Sequence, residues 1–455
     1  MKKQTDVIKA FGTRGGIRAP HRKNTAEEES VLLPTPQSVA IPLQMHIGAP
    51  CTAIVKPGDS VLVGQKIADS DAFVSAPIHA SVSGTVKEIR KITVAGGGLC
   101  DAIAIESDGA MAPVETAPPD VRDAASLANA ARECGLVGLG GAGFPTHIKL
   151  RIPEGKRIDT LIVNVAECEP YLTADFRVML EHADRVRTGV EIMRKVLNGP
   201  AVRIAIEANK PEAIAAMEKA FADIEGNVEI VVLPVLYPQG SEKHQIYATV
   251  KRIVPEGGLP IAVGCVVENI GTVAAIADAV TLGKPLIERV TTVTGDGVNR
   301  PKNVLAPCGT RYEDMIAFAG GAKDNVRKVL SGGPMMGFNV ADMGISTTKT
   351  TSGLTLLTEK SVFQYSSHAC INCGTCLRAC PMNLNPAAIS CAVESDDIAF
   401  AERYGVMNCI ECGACSFSCP AYRDITQNCR RAKASIRTRI AREKAAAAAA
   451  SEKRS

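Results

Sequence analysis

Eight of the chain's sixteen cysteines fall in two short runs of identical spacing. Cys370, Cys373, Cys376 and Cys380, the last followed by Pro381, read C-x2-C-x2-C-x3-C-P; Cys409, Cys412, Cys415 and Cys419, followed by Pro420, repeat the pattern. Three thiolates in so tight a loop can hold three irons of a cubane, while the fourth, further on, is displaced toward a neighbouring cluster. Zinc sites ordinarily use two CxxC pairs and lack both the third, equally spaced cysteine and the trailing proline. Disulfide frameworks belong to short secreted domains, and this chain has 455 residues. The two runs read as ligands of iron–sulfur clusters, which exchange electrons one at a time.

The repeat resembles the bacterial two-cluster ferredoxins, in which the fourth cysteine of each run completes the other run's cubane. On that pattern Cys370, Cys373, Cys376 and Cys419 form one [4Fe-4S] ligand set, and Cys409, Cys412, Cys415 and Cys380 form the second. The remaining cysteines (Cys51, Cys100, Cys134, Cys168, Cys265, Cys308, Cys391 and Cys429) are scattered singly, as reduced cytosolic thiols are, and no role is expected of them.

The rest of the chain must position those clusters and whatever feeds them. With 46% hydrophobic residues it can bury several cores, and three or four domains are expected. No apolar run approaches the roughly 18 to 20 residues that cross a bilayer, and no apolar segment follows Lys2 and Lys3 as in a signal peptide. A soluble or peripheral, cytoplasmic protein is expected. Net charge is +3, yet residues 430–455 carry nine Lys or Arg against two Glu, a local +7 that leaves −4 elsewhere. Basic surface is thus confined to the tail, where it could meet anionic lipid or an acidic partner, and no nucleic-acid partner is expected.

Residues 1–110 read as a small β domain, with Val/Ile-rich runs punctuated by turns such as Lys56-Pro57-Gly58-Asp59 and Ser83-Gly84-Thr85. The stretch from Val55 to Ile89 resembles biotinyl/lipoyl barrel-sandwich domains. Their hairpin tip carries a lysine; the equivalent stretch here, Asp69 to Ser75, has none, so docking rather than a swinging arm is expected. Residues 108–120, rich in Ala and Pro, form a linker. Residues 121–283 alternate helical and strand-like runs, the mark of an α/β layer fold. Residues 285–357 combine a strand-like run from Arg289 to Thr294, a Gly295-Asp296-Gly297 turn and a helical stretch from Tyr312 to Ala319, with a structural spacer expected rather than a soluble-ligand site. Residues 360–429 hold the cysteine runs, and residues 430–455 form a basic helical tail.

Within the α/β region, Gly138, Gly140 and Gly143 formally satisfy GxGxxG, but a helix rather than a strand precedes them, which fits the ordinary dinucleotide fingerprint poorly. The run Gly138-Leu139-Gly140-Gly141-Ala142-Gly143-Phe144-Pro145 reads equally as a tight turn or as a loop whose backbone approaches a phosphate or a flat ring. Pro145 suits the first turn of a following helix, and Lys149 lies about one turn on. Three further strand ends are polar: Asn164 to Glu169, Gly240 to Glu242, and Glu268 to Thr272. Four such ends in one α/β domain point to one shared site.

The motifs "GLVGLGGAGFPTHIKL", "NVAECEPYLTAD", "YPQGSEKHQIYATV", "VVENIGTVAAI" and "SGGPMMGFNV" closely resemble the RnfC family, the C subunits of the Rnf electron-transport complex, and, more distantly, the FMN- and NADH-binding subunit of respiratory complex I. The resemblance runs from about Phe11 through the second cysteine motif. It implies a multidomain α/β and α+β chain: a barrel-sandwich β domain, a Rossmann-like FMN/NADH domain, an SLBB-like β-grasp domain and a two-cluster ferredoxin-like domain. It further implies non-covalent FMN with NAD(H) stacking on it. Gly138, Gly140, Gly141 and Gly143 would line flavin and nucleotide, and Phe144 and Lys149 would contact one or the other. Asn164, Glu167 and Glu169 match N-x-x-E-x-E-P, with Glu167 nearer the flavin and Glu169 nearer the NAD. Glu242 matches the second acid of a G-E-E run whose first is Ser241 here; Asn269 and Thr272 would hold the ribityl-phosphate end. The family's Gly-Gly-Ile-His-Pro-Pro appears as Gly15-Gly16-Ile17-Arg18-Ala19-Pro20.

By that resemblance the chain is the NAD terminal of a ferredoxin:NAD+ oxidoreductase at the cytoplasmic membrane face. Integral-membrane flavoprotein subunits and a ferredoxin-like subunit are its expected partners, and they couple electron flow to movement of Na+ or H+. FMN is required because hydride exchange moves two electrons and each cluster takes one; no protein acid or base is expected at the hydride step. The alternatives are a cobalamin reductase, in which the glycine loop lies near the amino terminus, and an electron-carrier scaffold with a vestigial nucleotide pocket.

Overall fold

The computed structural model describes residues 5–224, 226–363 and 365–452. They divide into two compact units: the larger takes residues up to Phe11, Pro20–Val235 and Gly240–Val362, and the smaller takes Gly12–Ala19, Leu236–Gln239 and the chain from Phe363 on.

At the centre of the larger unit is a five-stranded parallel sheet in the order Asp6–Lys9, Val228–Leu233, Ala201–Glu207, Thr160–Val165, Cys265–Asn269. Runs such as Leu161-Ile162-Val163 are buried because both faces of the sheet are covered. Leu161 and Val163 join one core with Leu127, Val190 and Ile276 from the helices Ala124–Glu133, Ala183–Val196 and Ile270–Leu282. Ile162 and Val231 join a second core with Ile246 from the helix Glu242–Val250. The chain lays down Thr160–Val165, moves outward through the next two strands, and returns to place Cys265–Asn269 on the opposite flank. That reversal of strand order opens a crevice at the carboxyl ends of Thr160–Val165 and Cys265–Asn269, where Asn164 stands opposite Asn269 in register.

Two smaller sheets, Ser38–Pro42, Leu99–Ser107, Gly84–Thr93, Ser60–Val61 and Thr52–Ala53, Lys66–Asp69, Ile78–His79, enclose the barrel-sandwich core. The chain before residue 38 lies outside that barrel: Asp6–Lys9 joins the parallel sheet and Ser30–Leu32 pairs with Lys302–Pro307. A free sheet edge offers unpaired backbone groups, and these short strands satisfy two such edges. The barrel's hairpin tip docks on the α/β layer, with Arg132 bonding Asp69 and Ser70 and the Arg151 guanidinium lying over the Phe73 ring.

A six-stranded mixed sheet, Phe338–Val340, Val326–Ser331, Gly353–Thr358, Glu288–Thr294, Lys302–Pro307, Ser30–Leu32, packs against the helix Tyr312–Phe318. Buried Lys349 from this layer donates to Pro77 O of the barrel and Gly135 O of the α/β layer, tying three layers at one atom.

The smaller unit is helical: Thr375–Ala379, Pro386–Glu394, Ile398–Arg403, Ala414–Phe417 and the long Ile425–Glu452. Between the cysteine runs the chain forms two helices, Pro386–Glu394 and Ile398–Arg403, broken at Asp396 in a left-handed conformation. Cys429, Ala432 and Ile436 line the buried stripe of the last helix against Ile389 and Val393.

Candidate cofactor sites

The two cysteine runs adopt the same backbone path. Asn372 and Glu411, Gly374 and Gly413, and Asn383 and Tyr422 occupy equivalent places in the two runs, and all six residues are left-handed. Left-handed turns fold each loop back on itself, so successive thiols point inward rather than along an extended chain. Cys370, Cys373, Cys376 and Cys419 line one cavity of about 310 Å3 together with Cys391. Cys380, Cys409, Cys412 and Cys415 line a second, tighter one together with Cys429. Among the described residues no three His, Cys, Asp or Glu side chains converge as on a single metal ion. Four thiols around a cavity are instead the donor set a polynuclear iron–sulfur cluster requires.

Two short segments far away in sequence complete this unit. Gly16 N donates to Ala379 O, and Tyr237 Oη donates to Cys412 O at 2.7 Å. Gly15 is left-handed, and a Cβ there would lie 2.5 Å from Cys380 O, so only glycine lets the amino-terminal segment lie against the cysteine loop.

In the larger unit, every polar strand end singled out from the sequence borders the crevice. Asn164 Nδ2 donates to Gly240 O at 2.8 Å, joining two of the motifs. Asn269 caps its helix by accepting from Gly271 N and donates through Nδ2 to Asp175 Oδ2 at 2.7 Å. Thr272 Oγ1 accepts from Leu139 N, which pins the glycine loop, and Gly138 N bonds Phe144 O across that loop's base. Lys149 Nζ donates to Glu242 Oε1 at 3.1 Å and Val267 O at 2.8 Å. Burial opposes its charge, but Glu268 and Glu242 together hold the ammonium above its ordinary pKa.

The four glycines have separate roles. A Cβ on Gly140 would meet Asn269 Cβ at 3.1 Å; one on Gly143, which is left-handed, would meet Thr350 Cγ2 at 2.6 Å. Gly143 thus permits the loop's packing on the β-grasp layer. Gly141 has nothing within 4 Å of its would-be Cβ, so it leaves open space above the loop. The helix after Pro145 is only Thr146–Leu150, too short to present an anion-attracting terminus, and its lysine is spent on Glu242 and Val267 O.

Glu167 is buried and accepts from Asp175 N through Oε1, while Oε2 has no hydrogen-bond partner among the described residues. Burial raises its pKa against the pull of Lys23. Glu169 Oε1 accepts from Met335 N at 2.7 Å and Met336 N at 3.3 Å. The β-grasp layer, expected to be a spacer, therefore sends the turn between its strands Val326–Ser331 and Phe338–Val340 onto the acidic motif. Sequence reasoning also missed Lys23, whose ammonium donates to Glu167 O, Glu169 O and Leu172 O at 2.6–2.9 Å and so shapes the acidic turn. It named Glu268 within the polar strand end Glu268 to Thr272 but gave it no role of its own. Orphaned carboxylate oxygens, an open glycine loop and convergent polar ends fit a polar, partly flat ligand such as a flavin nucleotide.

Family models match along almost the whole chain: the RnfC barrel sandwich hybrid domain at residues 11–110, the Nuo51 FMN-binding domain at 131–278, the SLBB domain at 290–339 and a 4Fe-4S dicluster domain at 363–420. An FMN module and a dicluster module in one chain define the class, a flavin and iron–sulfur oxidoreductase with FMN and two [4Fe-4S] clusters as cofactors. The C subunit of the proton-translocating ferredoxin:NAD(+) oxidoreductase complex of Clostridium ljungdahlii is 48% identical over 96% of this chain and 96% of its own length. The C subunit of the Na(+)-translocating ferredoxin:NAD(+) oxidoreductase complex of Acetobacterium woodii is 41% identical over 83% and 86%. An NAD+-reducing [NiFe]-hydrogenase chain superposes over 62% of this chain and 55% of its own, at 18% identity and a TM-score of 0.48. The chain belongs to the RnfC family, the C subunits of ion-translocating ferredoxin:NAD+ oxidoreductase complexes. Among the described residues no helix is long and apolar enough to cross a membrane.

Proposed function

We propose that this chain passes electrons between its two clusters, FMN and NAD(H) as the nucleotide-handling subunit of a ferredoxin:NAD+ oxidoreductase complex. Bound FMN supplies the exchange between hydride transfer and single-electron transfer that the clusters need. Partner subunits within the membrane couple that flow to Na+ or H+ movement, and this chain sits peripherally on the cytoplasmic face. The relatives' names and the paired modules support that reading.

The observation that carries it is the presence, in one polypeptide, of two cavities that each collect four of the motif cysteines and a polar crevice at a strand-order reversal. Cys370, Cys373, Cys376 and Cys419 hold one cluster, and Cys380, Cys409, Cys412 and Cys415 hold the other. Gly138, Gly140 and Gly141 bring backbone toward the flavin, and Gly143 sets the loop's tilt. Asn164, Asn269 and Thr272 fix the loops that surround it, while Phe144 and Lys149 lie beside it. Glu167 faces the flavin, and Glu169 and Glu242 face the nucleotide.

The test is anaerobic addition of NADH to the full chain carrying FMN and both clusters. Bleaching of the flavin band together with reduced-cluster EPR signals is expected. Flavin and clusters that stay oxidised would leave an electron-carrier scaffold. Reduction by NADH followed by selective reoxidation by cobalamin would identify a cobalamin reductase.

A further inference from the structure

The two cysteine runs stay in step beyond their last cysteine. Four residues after Cys380 the chain carries Leu384, which lines the cavity of Cys409, Cys412 and Cys415. Four residues after Cys419 it carries Arg423, which lines the cavity of Cys370, Cys373 and Cys376. A leucine and an arginine thus hold matching places in the two cavity walls. Arg423 is 8% exposed; its Nη2 pairs with Glu394 and donates to Cys391 Sγ at 3.8 Å. Glu394 is half exposed and does not line the cavity, so water screens the carboxylate more than the guanidinium. Cys370 is among the groups whose charge acts on Arg423. The guanidinium keeps its own charge throughout the pH range of a folded protein. In the second cavity the wall residue Glu411 is paired with Lys433 and Arg430, and neither cation lines that wall.

We propose that Arg423 raises the reduction potential of the cluster held by Cys370, Cys373, Cys376 and Cys419, by setting a buried positive charge in the wall of its cavity. The proposal rests on that ligand assignment. A [4Fe-4S] cluster gains one electron on reduction, and with it one unit of negative charge. A cation fixed beside it, where water is scarce, stabilises the reduced form more than the oxidised one. No bond forms and no proton moves; the electron comes from ferredoxin or, through FMN, from NADH. Matching cysteine spacing then does not mean matching potentials.

The experiment is an anaerobic potentiometric titration of the full chain carrying FMN and both clusters, read by EPR. Arg423→Leu copies the residue at the matching place in the other cavity. It is expected to lower one cluster's reduction equilibrium about tenfold, a fall of about 59 mV for one electron. The affected signal is the one that Cys373→Ala abolishes, and the other cluster should move less. Glu394→Gln removes the counter-charge and leaves Arg423 in place, so it should move the same midpoint upward. An ion pair that only braces the fold predicts no such rise, and this variant decides the matter if Arg423→Leu does not fold. Unchanged midpoints, equal shifts of both clusters, or no rise in Glu394→Gln overturn the proposal. Survival of both signals in Cys373→Ala overturns the ligand assignment instead.

Discussion

The cysteine unit and the polar crevice of the FMN-binding domain assemble their polar groups in opposite ways. Within each run three thiols lie inside seven residues, and the chain needs only left-handed turns at places such as Gly374 and Gly413 to face them inward. In the crevice, by contrast, partners are distant: Leu139 with Thr272, Asn164 with Gly240, Glu169 with Met335. A site written in local spacing tolerates much change elsewhere in the chain. A site assembled from several layers inherits the stability of every contact that holds those layers together.

The contrast breaks most sharply at the fourth cysteine of each run, which lines the cavity of the other run. Replacing Cys419 by Ser is expected to remove the cluster of Cys370, Cys373 and Cys376, and replacing Cys380 by Ser to remove that of Cys409, Cys412 and Cys415. Iron content should fall from about eight to about four atoms per chain with FMN retained. Iron analysis and EPR of the surviving cluster read this directly; loss of the variant's own run instead would refute the exchange.

Next in size is Lys23. Removing its ammonium leaves three carbonyls of the acidic turn without their donor, so Lys23→Met is expected to cost about 2–4 kcal/mol of unfolding free energy. FMN affinity should fall while both clusters persist, which denaturant melts and flavin titration would show.

Lys349 tests the joint between layers through pH. Burial lowers its pKa to about 8, against an ordinary 10.5. Between those values the unfolded chain binds the proton that the folded chain has released, so stability rises with pH across that window and is flat below it. A neutral amine still has two N–H groups for Pro77 O and Gly135 O. Relative to Lys349→Met, the wild type should gain about 3 kcal/mol from pH 8 to 10.5 in denaturant melts. An identical pH dependence in the two proteins would show that Lys349 does not titrate there.

The smallest effect separates two glycines of one loop. Gly143→Ala should destabilise the protein by about 1–2 kcal/mol, since it is left-handed and crowded by Thr350. Gly141→Ala should leave the thermal midpoint of the flavin-free protein unchanged and weaken FMN binding, because its Cβ would occupy only the open space.

Much of the fold was legible because strand and helix periods differ: fully apolar runs such as Leu161-Ile162-Val163 read as buried parallel strands, and the polar residues after them read as ligand edge. The motif residues Lys149, Asn164, Glu242, Asn269 and Thr272 were singled out for that reason, helped by the family resemblance, and the fold brings them to neighbouring strand ends. Lys23 was not, because a lysine in a polar amino-terminal stretch reads as solvated until the acidic turn is folded around it. Nor was the β-grasp turn at Met335 and Met336, since backbone amides have no sequence signature. Glu268 was read only as part of a polar strand end, because a charged residue there ordinarily lies in water, whereas here it is sealed off.

Sequence alone determined the donor chemistry: eight thiols in two repeated runs, and carboxylates and amides placed after apolar strands. Tertiary structure decided which of those groups are already satisfied and which are left waiting. Asn164 is spent on Gly240 and Lys149 on Glu242, while Glu268 is stripped of water and given no donor among the described residues. Composition states what a side chain can bond to, but only the packed neighbours fix the dielectric around it and the bonds left unmade.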